Sequence, residues 1–127
     1  MENKMFIYDN TKEIYRLLKH YFKYDYKIYS FVDYSIAIHE ASKLSRNSVA
    51  FVVVNHPNDL AVVLMLMSRV DLIFVSTNNK NLDFVLKQNE SIKYLDTTIL
   101  KSELINKIKK IILHNYYEDR VEHKNVS

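Results

Sequence analysis

Glycine is absent from the 127 residues of this chain, although average usage near 7% would supply roughly nine. Its absence excludes every motif that wraps phosphate in glycine backbone: the P-loop, the dinucleotide fingerprint and the glycine-rich kinase loop. Turns then fall to Asn, Asp and Ser, the next residues able to take left-handed or Asx-turn geometry. Cysteine is also absent, which excludes a disulfide framework, a thiolate metal site and a cysteine nucleophile. No apolar run approaches the roughly 20 residues that span a bilayer, and the opening MENKMFIYDN lacks the form of a signal peptide. Together these absences predict a cytoplasmic protein with no membrane partner.

What is present is the composition of one globular domain: 48% hydrophobic and 26% charged residues. The net charge is +3. Its lysines are scattered, with no basic run longer than Lys109-Lys110, so the charge is no footprint of nucleic-acid binding by this domain. Five histidines lack ligand spacing. His56, near a strand end, reads as a loop residue; Asp59 is placed to meet it as a pair, but nothing supplies a nucleophile. The tyrosines of the first third read as core bodies with surface hydroxyls, or as a contact surface.

Hydrophobic periodicity gives alternating strands and helices. Continuous apolar runs at 5–8, 49–54 and 72–75 read as strands buried on both faces, and 26–31 as a poorer, edge-like strand. Residues 91–95 complete a set of five. Between them, helices are predicted over about 12–22, 33–44, 60–67 and 82–89, with a last helix from Lys101 to about His114. Asn10 or Thr11 is positioned to cap the first. Five strands alternating with helices imply right-handed βαβ units and a doubly wound parallel sheet. In such sheets the ligand-binding residues gather at the carboxyl ends of the strands, which pools Asp9, Asn10, Asn55, Ser76 and Thr97.

Over residues 4–114 this order of elements resembles a response-regulator receiver domain. The likeness rests on MFIYDNTKEIYRLLKHYF at the start and on KYLDTTILKSELINKIKKII at the end, where Tyr94 and Glu103-Leu104 stand at family positions. The resemblance implies a flavodoxin-like five-stranded sheet of order 2-1-3-4-5, here with a shortened third-helix region, and a tail or linker over 115–127. It also implies an emptied phosphorylation site. The acidic pair that holds magnesium falls on Asp9 and Asn10, the phosphoacceptor aspartate on Asn55, the hydroxyl on Ser76 and the lysine on Thr97. An amide cannot form an acyl phosphate, magnesium favours anionic oxygen, and no cation remains to stabilise a transferring phosphoryl group. Catalytic, metal and cofactor sites are accordingly expected to be lacking.

Ser76 and Tyr94 occupy the family's switch positions. Its usual dimer face, made by the fourth helix, fifth strand and fifth helix, would place Tyr94, Lys101, Ile105 and Lys109 at an interface. This first reading is a phosphorylation-independent signalling module: a homodimer, or a regulator of a transcription or other output partner with a DNA-binding domain beyond the C-terminus. The second reading is a small flavodoxin-like enzyme or nucleotide- or flavin-binding protein. It would use Ser76-Thr77-Asn78-Asn79 to offer hydroxyls and amides to a phosphate.

Overall fold

A computed structural model describes residues 3–126, with side chains as far as Tyr116. The chain divides into two compact units, the first ending at Leu95 and the second beginning at Asp96. The first carries strands β1 (Lys4–Tyr8), β2 (Lys27–Phe31), β3 (Val49–Val54), β4 (Leu72–Thr77) and β5 (Lys93–Tyr94). Its helices are α1 (Glu13–Phe22), α2 (Tyr34–Ala41), α3 (Leu60–Met67) and α4 (Lys80–Lys87), with a 3-10 turn at Pro57–Asp59 leading into α3. All pairings are parallel, and the sheet order is β2-β1-β3-β4-β5. The flavodoxin-like order expected from the sequence is therefore the one observed.

The most β-branched segment, Val49–Val54, forms the central strand and is buried along its whole length. Strand β2, at the edge, is only half-buried. Because side chains alternate across a strand, each inner strand feeds two cores. Phe6, Tyr8, Ala50, Val52, Val54, Ile73 and Val75 join Ala37 and Ala41 of α2 and Val62, Val63 and Leu66 of α3 in one cluster. Met5, Ile7, Phe51 and Phe74 are buried outside it, and the Phe51 and Phe74 rings stack at 4.6 Å. The step from β1 to β2 runs opposite to the later steps, so right-handed crossovers put α1 on the face away from α2, α3 and α4.

Element boundaries shift where the local chemistry differs from the pattern. The fourth strand extends two residues beyond Val75 to Thr77, and the fifth shrinks to Lys93–Tyr94, with Leu95 N–H donating to Val75 C=O at 2.8 Å. Asp33 caps α2 by accepting from Ser35 N at 3.0 Å. Neither Asn10 nor Thr11 is the N-cap of α1. That position is Lys12, in the left-handed region at φ 64° and alone in having positive φ among the described residues. The left-handed conformation expected at Asn, Asp or Ser thus falls on a lysine. Asx turns do use the expected residues: Asp9, Asp33, Asn79, Asn89 and Asp96 each accept the N–H two residues on.

The second unit is the turn after Asp96 and the helix α5 (Lys101–Val126), in which Leu104, Ile105 and Ile108 are buried. This helix continues well past His114, where the sequence suggests a tail or linker. Between Asn115 and Val126 no glycine or proline interrupts it; side chains beyond Tyr116 lie outside the described residues. Among the described residues no helix is long and apolar enough to cross a membrane.

Candidate strand-end site

Strands β1 and β3 are neighbours whose connections leave in opposite directions, so the crevice at their carboxyl ends is the switch point of the sheet. Asp9 follows β1 directly and is fully buried. Its backbone N–H continues the ladder to Phe31 C=O at 3.1 Å. Its side chain turns to the start of α1. Oδ1 accepts from Thr11 N at 3.0 Å and Thr11 Oγ1 at 2.7 Å, while Oδ2 accepts from Ile14 N at 2.8 Å. Oδ1 is thereby committed to the turn before α1 and Oδ2 to the helix's first turn, where the dipole favours a negative charge.

Asn10 and Asn55 meet, as the pooling of strand ends predicts. Asn55 Nδ2 donates to Asn10 Oδ1 at 2.9 Å, and Asn78 Nδ2 donates to Asn55 Oδ1 at 3.3 Å. The strand ends are thus joined by a chain of three side-chain amides. Ser76 does not belong to it. Register places Ser76 opposite Val53 and Thr77 opposite Val54, and Ser76 is buried within β4. The β4-side residue that reaches Asn55 is Asn78, two positions later. Thr97 belongs to the second unit, in the turn before α5, and is half-buried.

The segment proposed as a phosphate cradle is occupied with its own backbone. Thr77 Oγ1 donates to Val54 C=O and accepts from Asn79 N at 3.0 Å, and Asn79 Oδ1 caps α4 by accepting from Asn81 N at 3.0 Å. Among the described residues no group of three His, Asp or Glu side chains is arranged to hold a metal ion.

Asp59 is the larger departure from the sequence reading, which pairs it with His56 alone. It is 3% exposed. Oδ1 accepts from the Tyr8 hydroxyl at 2.7 Å, and Oδ2 from both Asn55 N and His56 N at 3.0 Å. The expected His56–Asp59 pair therefore forms through the histidine backbone. The His56 ring instead accepts from Asn58 N through Nδ1 at 3.2 Å, completing a reciprocal cap on the Pro57–Asp59 turn. Burial, the hydrogen bond to Asp59 and the negative charges of Asp59 and Asp33 raise the Tyr8 phenol above its ordinary value of 10.0. The spacing of His56 and Asp59 around the only proline was the available signal for this cap. For Tyr8 it was the position on the same strand face as Phe6.

Beside this arrangement lies an open cleft of about 500 Å³. Tyr8 and Asp59 line its buried side, Val32, Asp33 and Tyr34 come from the β2–α2 connection, and Asn10, His56 and Asn58 complete it.

Of the residues expected at an interface, Tyr94 is half-buried, with Lys87 Nζ 5.2 Å from its ring centroid. Lys101 and Lys109 are exposed, whereas Ile105 is buried. Phe84 and Val85 on α4, which the sequence reading passes over, are 68% and 62% exposed. No protein-family model matches the chain, and neither a curated protein nor a solved structure is significantly similar to it.

Proposed function

We propose that the chain is a cytoplasmic, non-catalytic receiver-like module that acts by binding another protein, in the first place a second copy of itself, independently of phosphorylation. The observation carrying this reading is that the strand-end polar groups are spent on one another and on local backbone. Asp9 holds the start of α1 with both oxygens, and Asn55 sits within an amide chain. A magnesium ion would have to compete with those bonds at Asp9 and with three donors at Asp59, and Asn55 offers no oxygen able to accept a phosphoryl group. A contact surface is supported by Phe84 and Val85, adjacent and exposed on α4 in the unit that also holds Tyr94. Control of a transcription or other output partner would follow from such pairing.

Light scattering over a wide concentration range tests the reading. Reversible dimerisation is expected, weakened by Phe84→Glu with the fold retained by circular dichroism. A strict monomer at the highest concentration removes self-association. In parallel, incubation with acetyl phosphate and magnesium is expected to leave the mass unchanged. An acid-labile phosphoryl adduct would falsify the silent-site half of the proposal.

A further inference from the structure

We propose that the switch-point cleft is a binding site for an organic cation, a small molecule or side chain carrying a guanidinium or ammonium group. This goes beyond the interaction-module reading and holds whether or not the chain dimerises.

Position and size come first. Open parallel sheets bind ligands outside the carboxyl ends of strands where connections diverge, and β1 and β3 diverge here. The cleft, at about 500 Å³, lies inside the roughly 300–1,000 Å³ range of small-molecule sites.

Charge then selects the ligand. Asp33 and Asp59 line the cleft, and neither lysine nor arginine does. Asp59 is buried and fixed by three donors, so its charge is held in place. Asp33 is exposed at the rim, and Oδ1 accepts both bonds of the α2 cap, from Ser35 N at 3.0 Å and Ser35 Oγ at 3.1 Å. Oδ2 takes part in neither. Burial is the largest cause of the raised Tyr8 phenol, and the hydrogen bond to Asp59 and the charges of Asp59 and Asp33 push it in the same direction. A phosphate-bearing nucleotide or flavin would enter this field with no cation to receive it. A guanidinium would find Asp33 for a charge-assisted hydrogen bond and the partly exposed ring of Tyr34 for a cation–π contact. Asn10 and Asn58 also line the edge, the Asn10 oxygen already accepting from Asn55.

Amide NMR titration of the isotope-labelled full chain tests the proposal, with agmatine, butylamine, a short arginine-bearing peptide, inorganic phosphate and flavin mononucleotide as probes. Saturable shifts confined to residues 8–10, 32–34 and 56–59 are expected with the cations and not with phosphate or flavin. Asp33→Asn keeps a side-chain oxygen for the α2 cap and is expected to weaken agmatine roughly tenfold, the scale of one charge-assisted hydrogen bond. Tyr34→Ala weakens it less. Agmatine binding as tightly as the peptide identifies a free amine as the ligand, and a clear preference for the peptide identifies a partner's side chain; either sustains the cation site. Absence of saturable shifts with every cation at millimolar concentration overturns it. So does unchanged agmatine affinity in Asp33→Asn, or phosphate or flavin binding at these residues.

Discussion

Asp9 and Asp59 are both buried carboxylates beside strand ends, and neither has a lysine or arginine among its hydrogen-bond partners, yet they organise the molecule over different ranges. The Asp9 side chain binds only Thr11 and Ile14, so it is a local device that starts α1. Asp59 binds Tyr8, 51 positions away in sequence, together with the backbone of Asn55 and His56. It ties β1 to the turn that launches α3, and it lines the cleft. A carboxylate at a strand end is therefore insufficient to define chemistry. What differs is the reach of its hydrogen bonds: those of Asp9 stay within one turn, and those of Asp59 join distant segments beside the cleft.

Removing each carboxylate separates the two roles. Asp59→Ala strands a buried hydroxyl and two backbone N–H groups, and a loss of about 3–4 kcal/mol is expected at neutral pH from several unsatisfied donors. Asp9→Ala leaves the exposed Thr11 hydroxyl free to turn to water, so the loss is that of a strong cap, about 2 kcal/mol. Urea denaturation of both variants measures the order; equal losses would erase the distinction between a local and a long-range device. Amide exchange adds location, with protection falling at the start of α1 in the first unit for Asp9→Ala and around Asn55 and His56 for Asp59→Ala.

Tyr8 gives a smaller effect with a pH signature. Tyr8→Phe removes the donor to Asp59 Oδ1 and is expected to cost about 1–2 kcal/mol at pH 7. The native protein should also weaken in alkali. Below the ordinary tyrosine value of 10.0 both folded and unfolded chains keep the phenolic proton, and the stability is fully present. Above it the unfolded chain releases the proton first, because the folded value is raised, so stability falls as pH climbs from there towards the folded value. Tyr26, also raised by burial and then by the charge of Asp25, acts in the same sense. Urea midpoints between neutral pH and pH 11 should therefore fall less steeply in Tyr8→Phe without becoming flat. An unchanged slope would mean that the Tyr8–Asp59 bond does not distinguish this end of β1.

The strand order came from the resemblance. The pattern of the sequence was sufficient for a parallel sheet and for the burial of β3, because six consecutive apolar residues leave little choice but burial on both faces. It also carried the meeting of Asn10 with Asn55, since both follow adjacent strands. It pooled Ser76 rather than Asn78 with Asn10 and Asn55 because Ser76 and Thr77 are polar residues that read as the end of a strand although Thr77 still pairs with Val54. Asp59 was paired with His56 but not with Tyr8 or Asn55, because sequence distance says nothing of a turn that folds the carboxylate back onto the Asn55 N–H. The exposed Phe84 and Val85 have the same hydrophobicity as core residues. Periodicity places them on a helix without saying that their side stays uncovered.

The smallest effect probes how Asp9 does its work. Lys12 sits in a left-handed conformation that disfavours any residue with a Cβ by roughly 1–2 kcal/mol, and the Asp9 bonds to Thr11 and Ile14 span it. Lys12→Gly relieves that cost but enlarges the unfolded chain's freedom, so a net gain of about 0.5–1 kcal/mol is expected. Lys12→Ala serves as the control. It removes a positive charge from the helix N-terminus, worth a few tenths of a kcal/mol, while keeping the Cβ. The excess of the glycine gain over the alanine gain is then the backbone contribution. If Asp9 acts by holding this turn against its strain, Asp9→Ala should cost less in the Lys12→Gly background than alone, by a few tenths of a kcal/mol or more. Additive losses in a double-mutant cycle would instead assign Asp9 to the helix start alone. The same Lys12→Gly change should leave the cost of Asp59→Ala untouched, because no hydrogen bond of Asp59 reaches the α1 turn.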